Sequence, residues 1–285
     1  METKIINGRQ IRDEVLTEVK VRVAKLPFVP VFCDVLVGDD PASAQYVRMK
    51  AKTAESVGVQ FHPAHFPATI TTEELIVEIK KINTIPNICG LIVQLPIPAH
   101  LDKDAIMSAI DPRLDVDCLG ERASQLFYAG NPDIGYPTAL SCMALLDSVC
   151  SDLLNKNIIV IGQGELVGKP VTHLLRSRAL SVSTITRSTD AQLKMDLMKH
   201  ADVIISATGQ GQFITGDMIQ EGAIIIDAGT SEGNAGIVGD VDAKSVMNIA
   251  GALSPVPGGV GPMTVATLLM NVCKVAEGCV SSLTK

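Results

Sequence analysis

Ser254-Pro-Val-Pro-Gly-Gly-Val-Gly-Pro-Met-Thr264 is the stretch on which the fold turns. Three prolines and three glycines in eleven residues exclude helix and interior strand. Proline fixes φ and removes a donor, while glycine opens backbone shapes closed to other residues. The stretch follows the apolar run Ile249 to Leu253 and feeds a helical pattern over Val265 to Val275, with Pro262 suited to the first helical turn. It therefore reads as a shaped loop, almost free of side chains, between a strand and a helix N-terminus. A planar ligand could approach its backbone closely. One such loop alone is more often a tight packing turn, but this chain contains others.

Upstream of it, strands and helices alternate. Ala139 to Val149 is helical in pattern, Asn157 to Ile161 strand-like, and a helix follows from Val167 to Leu175. Strand Ser181 to Thr186, a helix to about Lys199, and strands Asp202 to Ser206 and Ile224 to Asp227 continue the series. An earlier series opens with Ile11, Val15, Val19 and Val23 at helical spacing. It continues with a buried strand Pro30 to Val37, a helix Ala42 to Val57 stopped by Gly58, a helix Thr72 to Ile82, and strand Gly90 to Gln94. Such alternation predicts two α/β domains with mostly parallel sheets.

The bulk composition bounds the function. With 285 residues the chain can hold two cores, and 47% hydrophobic against 19% charged residues fits a soluble α/β protein. No apolar run reaches the roughly 18–20 residues of a spanning helix, and the first ten residues have no apolar signal centre. The net charge of −7 argues against nucleic-acid partners. The seven cysteines form no Cys-x-x-Cys pair, and the five histidines form no metal-ligand arrangement. A cytoplasmic protein without a metal, a nucleic-acid partner or a membrane attachment is expected.

Gly162-Gln-Gly-Glu-Leu-Val-Gly168 leaves a strand and opens a helix, a context that lets phosphate meet a helix N-terminus. Its G-x-G-x-x-x-G spacing is one residue longer than the usual fingerprint. The strand ends Thr186-Arg187, Ser206-Ala-Thr-Gly209 and Asp227-Ala-Gly229 favour a nucleotide site along the same sheet edge. Arg187-Ser188-Thr189 suits a 2′-phosphate, Asp190 keeps NAD open, and Ser188 or Thr189 could simply cap the next helix. Tyr46 and Lys50 share a helix face, which by itself reads as a solvated pair. Gln94 ends a buried strand, where a polar amide needs a partner. Asp115 and Asp117 share one face of an extended segment, with Asp115 also readable as a surface loop residue.

Together these stretches resemble the bifunctional methylenetetrahydrofolate dehydrogenase/cyclohydrolase family, often called FolD. The similarity runs through Val37–Ser43, Tyr46–Lys50, Gly90–Pro98, Asp115–Asp117, Val167–Pro170, Val238–Asp242 and Pro255–Thr264, in the family order. The resemblance implies oxidation of methylenetetrahydrofolate with NADP, then hydrolysis of the methenyl product to 10-formyltetrahydrofolate. It implies Lys50 as the catalytic lysine, Gln94 as its partner, Tyr46 stacking on folate and Asp117 anchoring the pterin, with Leu95, Pro257, Gly258 and Gly259 lining the substrate. For the cofactor it implies Gly162, Gln163, Gly164, Val167, Gly168, Arg187, Ser188, Thr208, Gly209, Gly229, Thr230 and Thr264. A folate domain over 1–138, a Rossmann-like domain over 139–261, a helix 262–285 returning to the first domain, and a homodimer complete the expectation.

The chain departs from the family pattern at Gln163-Gly164, where Arg-Ser is usual, and at Thr186-Arg187, where His-Ser is usual. Cys118 replaces a glycine, and Tyr136-Pro-Thr-Ala139 replaces Pro-Cys-Thr-Pro. Two other readings compete with the bifunctional enzyme. One is a monofunctional NAD-dependent dehydrogenase, and the other a non-catalytic folate- or nucleotide-binding relative. The Tyr46, Lys50, Gln94 and Asp117 set speaks against both.

Overall fold

The computed structural model describes residues 2–130, 134–233 and 236–283. The expected domain ranges 1–138 and 262–285 extend beyond these at residues 1, 131–133, 284 and 285. In chain order the first elements are β1 (Lys4–Ile5), α1 (Gly8–Val23), β2 (Val31–Val37), α2 (Pro41–Ser56), β3 (Gln60–Phe66), α3 (Thr72–Ile82), β4 (Ile88–Val93), α4 (Lys103–Ser108) and α5 (Glu121–Tyr128). Next are α6 (Pro137–Asp147), β5 (Ile158–Ile161), α7 (Gly168–Ser177), β6 (Val182–Ile185), α8 (Ala191–Lys199), β7 (Val203–Ser206) and β8 (Ile224–Asp227). The last are β9 (Ser231–Gly233), β10 (Gly236–Val238), α9 (Ala243–Val246), β11 (Ala252–Ser254) and α10 (Val260–Leu283).

The chain divides into two compact units, one of residues 1–12 and 138–264, the other of 13–137 and 265–285. In the 13–137 unit a parallel three-stranded sheet has the order β3-β2-β4. All seven residues of β2 are buried. Val31, Cys33, Val35 and Val37 pack with α3 residues Leu75 and Ile79 on one side. Phe32 packs on the other with Val19 of α1 and Val265, Leu268, Leu269 and Val272 of α10. The apolar alternation of a two-sided strand thus fixes both layers. α10 is apolar enough over 22 residues, at a mean hydropathy of 1.3, to pass for a membrane span, yet its buried face belongs to this core.

Helix ends follow their sequence signals. Asp40 caps α2 by accepting from Ser43 N at 2.7 Å, with Pro41 in its first turn, and Gly58 follows at φ +86. Thr71 and Glu74 form a reciprocal capping box on α3. β3 was not legible in the sequence, because Gln60-Phe-His-Pro-Ala-His-Phe66 has no clean alternation and contains Pro63. Its place at the sheet edge explains the tolerance, since an edge strand can spare a donor.

The other unit is built on a six-stranded parallel sheet of order β1-β11-β8-β7-β5-β6. β6 lies on one side of β5 and β7 on the other, so the connections diverge at the carboxyl ends of β5 and β7. That divergence opens a ligand crevice in doubly wound sheets. The sequence reading assigned residue 1 onward to the first domain. Instead β1 pairs with β11, and residues 1–12 group with the six-stranded sheet. α10 begins at Val260, two residues ahead of the expected Pro262.

Candidate active site

In the 13–137 unit, a polar cluster forms where α2 crosses β2 and the end of β4. Lys50 Nζ lies 2.7 Å from Gln94 Oε1 and 4.9 Å from the centre of the Tyr46 ring. The i,i+4 spacing on α2 stacks Tyr46 and Lys50 on one face. Gln94 is held at the strand end by its own N–H donating to Val35 O at 2.8 Å, while Nε2 donates to Leu95 O at 2.6 Å. That leaves Oε1 free to receive the lysine. The helix spacing by itself reads as a solvated pair, but Lys50 is only 2% exposed. Its counter-charge is Asp34, fully buried in β2, with Oδ2 2.6 Å from Nζ in ion-pair contact outside hydrogen-bond geometry. Burial pushes the Asp34 carboxyl above its ordinary range, against the pull of Lys50.

After β4, the segment carrying Asp115 and Asp117 runs beside Leu91, whose N–H donates to Leu114 O at 2.8 Å. The two carboxylates have different surroundings. Asp115 is buried and accepts from Gly120 N at 2.7 Å, so it organises the turn and is no surface residue. Asp117 is half-buried, and its carboxyl is pushed up to about 7 by burial; Lys50 opposes the rise, while Asp115 and Asp34 add to it. Asn271 of α10 anchors this segment by donating from Nδ2 to Val116 O at 2.9 Å and Gly135 O at 2.7 Å. Cys118, where the family pattern has glycine, adopts φ +59.

In the six-stranded unit, the divergence of β5 and β7 forms a cleft of about 540 Å³. Gly162, Gln163, Gly164, Arg187, Ser188 and Thr208 line it, as do Lys194, Gln210 and Phe213, which the sequence reading did not assign. A Cβ on Gly168 would stand 1.9 Å from Gly162 O, and one on Gly162 would stand 2.4 Å from Ala207 O. Only glycines let α7 and the β7 turn close this tightly under the cleft. Gly168→Ala is expected to cost about 1–3 kcal/mol or more through overpacking, seen as a lower unfolding temperature; an unchanged one would contradict the close approach.

The outer end of the cleft decides its charge. Asp190, which kept NAD open, is occupied as the cap of α8, accepting from Gln192 N at 2.9 Å and Leu193 N at 3.1 Å. Thr189 Oγ1 accepts from Thr186 N at 2.9 Å and closes the preceding turn. Arg187 is exposed and has no hydrogen-bond or ion-pair partner among the described residues. Lys194 stands over the Phe213 ring at 4.8 Å. Gln163 turns toward α7, donating from Nε2 to Gly162 O at 3.0 Å and Thr172 Oγ1 at 3.1 Å.

Val167, Gly168, Gly209, Gly229, Thr230 and Thr264 are outside the lining of this cleft. Val167 precedes α7 as its cap residue, and Thr264 Oγ1 donates to Gly261 O at 2.9 Å. Gly229 N donates to Asp227, whose carboxylate also accepts from Asp240 N and Val241 N. Asp240 in turn accepts from Ser206 Oγ, Thr208 N and Gln210 N, which fixes the β7 turn. The Val238–Asp242 stretch is therefore scaffold for the cleft. The Pro257-Gly258-Gly259 loop packs on the start of α1: Gly8 N donates to Gly258 O at 3.0 Å, and a Cβ on Gly8 would stand 1.9 Å from Gly259 O. Those glycines answer to packing whatever else they do.

Two family models match the chain. The tetrahydrofolate dehydrogenase/cyclohydrolase catalytic domain covers residues 6–117, and the NAD(P)-binding domain of the same name covers 136–280. The bifunctional protein FolD of Polaromonas naphthalenivorans is 38% identical over 281 residues, 97% of this chain and 99% of the relative. The crystal structure of the bifunctional FolD enzyme from Campylobacter jejuni superposes with a TM-score of 0.92 at 33% identity, covering 97% of this chain and 99% of that one. The Trypanosoma brucei methylenetetrahydrofolate dehydrogenase-cyclohydrolase, solved with NADP and an inhibitor, gives 0.90 at 32% identity, covering 98% and 99%.

Proposed function

The chain belongs to the tetrahydrofolate dehydrogenase/cyclohydrolase family, and from that premise we propose how its residues divide the work. It is a bifunctional enzyme of one-carbon metabolism, oxidising 5,10-methylenetetrahydrofolate and hydrolysing the methenyl product to 10-formyltetrahydrofolate. The observation that supports the residue roles best is the placement of Lys50 Nζ against Gln94, beneath the Tyr46 ring. In the hydrolysis, a water oxygen bonds to the methenyl carbon and its proton passes to Lys50 Nζ, which must first have released one. The bond from that carbon to one nitrogen then breaks as the nitrogen takes the proton held by Lys50. The hydroxyl releases its own proton to solvent and becomes the carbonyl of the formyl group, which stays on the other nitrogen. Gln94 Oε1 keeps Nζ in place, and Tyr46 offers its ring to the folate.

Asp117 anchors the pterin by accepting from its amine and ring N–H as a carboxylate. Losing a charged partner costs on the order of 1.5–3 kcal/mol, so Asp117→Ala raises the folate KM and depresses both activities together. Asp115→Ala should instead lower thermal stability; if it reproduces the folate defect while Asp117→Ala is silent, the assignment is reversed. The pH dependence has a definite sign. The accepting form is the carboxylate, and the group titrates at about 7. The folate KM therefore rises as pH falls through 7, approaching about tenfold per pH unit. Asp117→Asn should flatten that limb, and a limb that persists in the variant would assign it elsewhere.

For the cofactor we propose NADP. The chain's own groups fit it: close-packed glycines at the β5 turn, an unpaired Arg187 at the outer end, and Asp190 withdrawn into a helix cap. Arg187 and Lys194 would take the 2′-phosphate, and Gly162 to Gly164 the pyrophosphate. NADP supplies the hydride acceptor when bound. We further assign folate binding to the 13–137 unit and nucleotide binding to the 138–264 unit. A cytosolic location accords with seven free cysteines. A homodimer accords with the family resemblance and is tested by sedimentation at micromolar concentration.

A further inference from the structure

Asp34 is the one charged residue of β2, and the other six residues of that strand are apolar. It is fully buried on the Phe32 side, Oδ2 touches Lys50 Nζ at 2.6 Å, and Oδ1 accepts no hydrogen bond among the described residues. Well-packed apolar residues in place of a buried ion pair are often neutral or stabilising, so stability alone gives weak reason for this carboxylate. Its contact points to another role. Gln94 receives one N–H of the ammonium, Asp34 touches it as an ion-pair partner, and the Tyr46 ring stands 4.9 Å away.

We propose that Asp34 is a positioning residue for the cyclohydrolase step, holding Lys50 Nζ at Gln94, where it meets the attacking water, by ion-pair contact from β2. A buried negative charge at contact distance attracts the ammonium and opposes its swinging away from Gln94. Among the described residues, the other titratable groups that act on the pair are Tyr46 on α2, Asp117 after β4 and Cys33 on β2. Burial, with Asp34 adding to it, pushes the Cys33 thiol up to about 12, clear of the working range. β3 and β4 place Pro63 and Ile92 in register with Asp34, and the α10 residues packed on this side, Val265, Leu268 and Leu269, are apolar.

The inference rests on Lys50 being the cyclohydrolase base, and its test separates the two claims. In Asp34→Asn, kcat for methenyl hydrolysis should fall by about tenfold or more while the folate KM stays within about twofold, because the placement of Nζ is disturbed and the folate contacts are not. Asp34→Val, apolar like its strand neighbours, should do the same, which keeps the test open if the asparagine fails to fold. All variants are compared at one pH, so the Asp117 dependence of the folate KM is held fixed. A wild-type kcat in both variants, or a folate KM that rises in step with the fall in kcat, would overturn the role of Asp34. A Lys50→Met protein that still hydrolyses the methenyl compound would instead overturn the role of Lys50.

Discussion

In Lys50→Met, methenyl hydrolysis falls by about 10²–10⁴-fold, the range a positioned general acid–base contributes. Nζ is the basic nitrogen held at Gln94 and Tyr46, and methionine puts an uncharged thioether in its place. The structure adds a second effect. Removing the lysine strands Asp34, and breaking a buried pair by removing one partner costs about 3–5 kcal/mol, less whatever protonation of the carboxyl recovers. Asp34 already titrates above the ordinary carboxylate range, which makes that recovery easier. Lys50→Met should therefore be folded but lower melting, and Asp34→Val with Lys50→Met should regain stability without regaining hydrolysis. Assays of methenyl decay beside thermal melts separate chemistry from stability. Hydrolysis at the wild-type rate by folded Lys50→Met would remove Lys50 from the mechanism.

Arg187→Ala raises the KM for NADP by about 10–100-fold, the loss expected for charge-assisted hydrogen bonds of about 1.5–3 kcal/mol. The KM for NAD, which lacks the 2′-phosphate, stays within about twofold, on the same reasoning that the lost donors have no partner there. Arg187 lines the outer end of the cleft, and Gln163 is tied to Thr172 and Gly162. An equal loss for both nucleotides would mean that Arg187 supports the turn or the pyrophosphate. Lys194→Ala should show a smaller loss of the same kind, since its ammonium is also engaged with Phe213.

Local signals made much of this legible. Tyr46 and Lys50 met because helical spacing alone puts them on one face, and Gln94 was conspicuous as an amide ending an apolar strand. Glycine turns after regularly spaced apolar strands marked the nucleotide-type sheet. What escaped depends on pairing at a distance. β1 joins β11 across most of the chain, and β3 disguises itself with Pro63 and two histidines. Asp34 was absorbed into an apolar run, although a charge inside a buried strand was itself the signal that a counter-charge must meet it. Asp240 was visible only as part of a motif, because its three donors come from the β7 turn some thirty residues earlier.

The most direct test follows the purified protein spectrophotometrically with methylenetetrahydrofolate, comparing NADP with NAD and then recording decay of the methenyl product. The account predicts rapid oxidation with NADP, a markedly higher KM for NAD, and enzyme-catalysed decay of the methenyl absorbance. Preference for NAD, or methenyl decay no faster than in buffer, would contradict it.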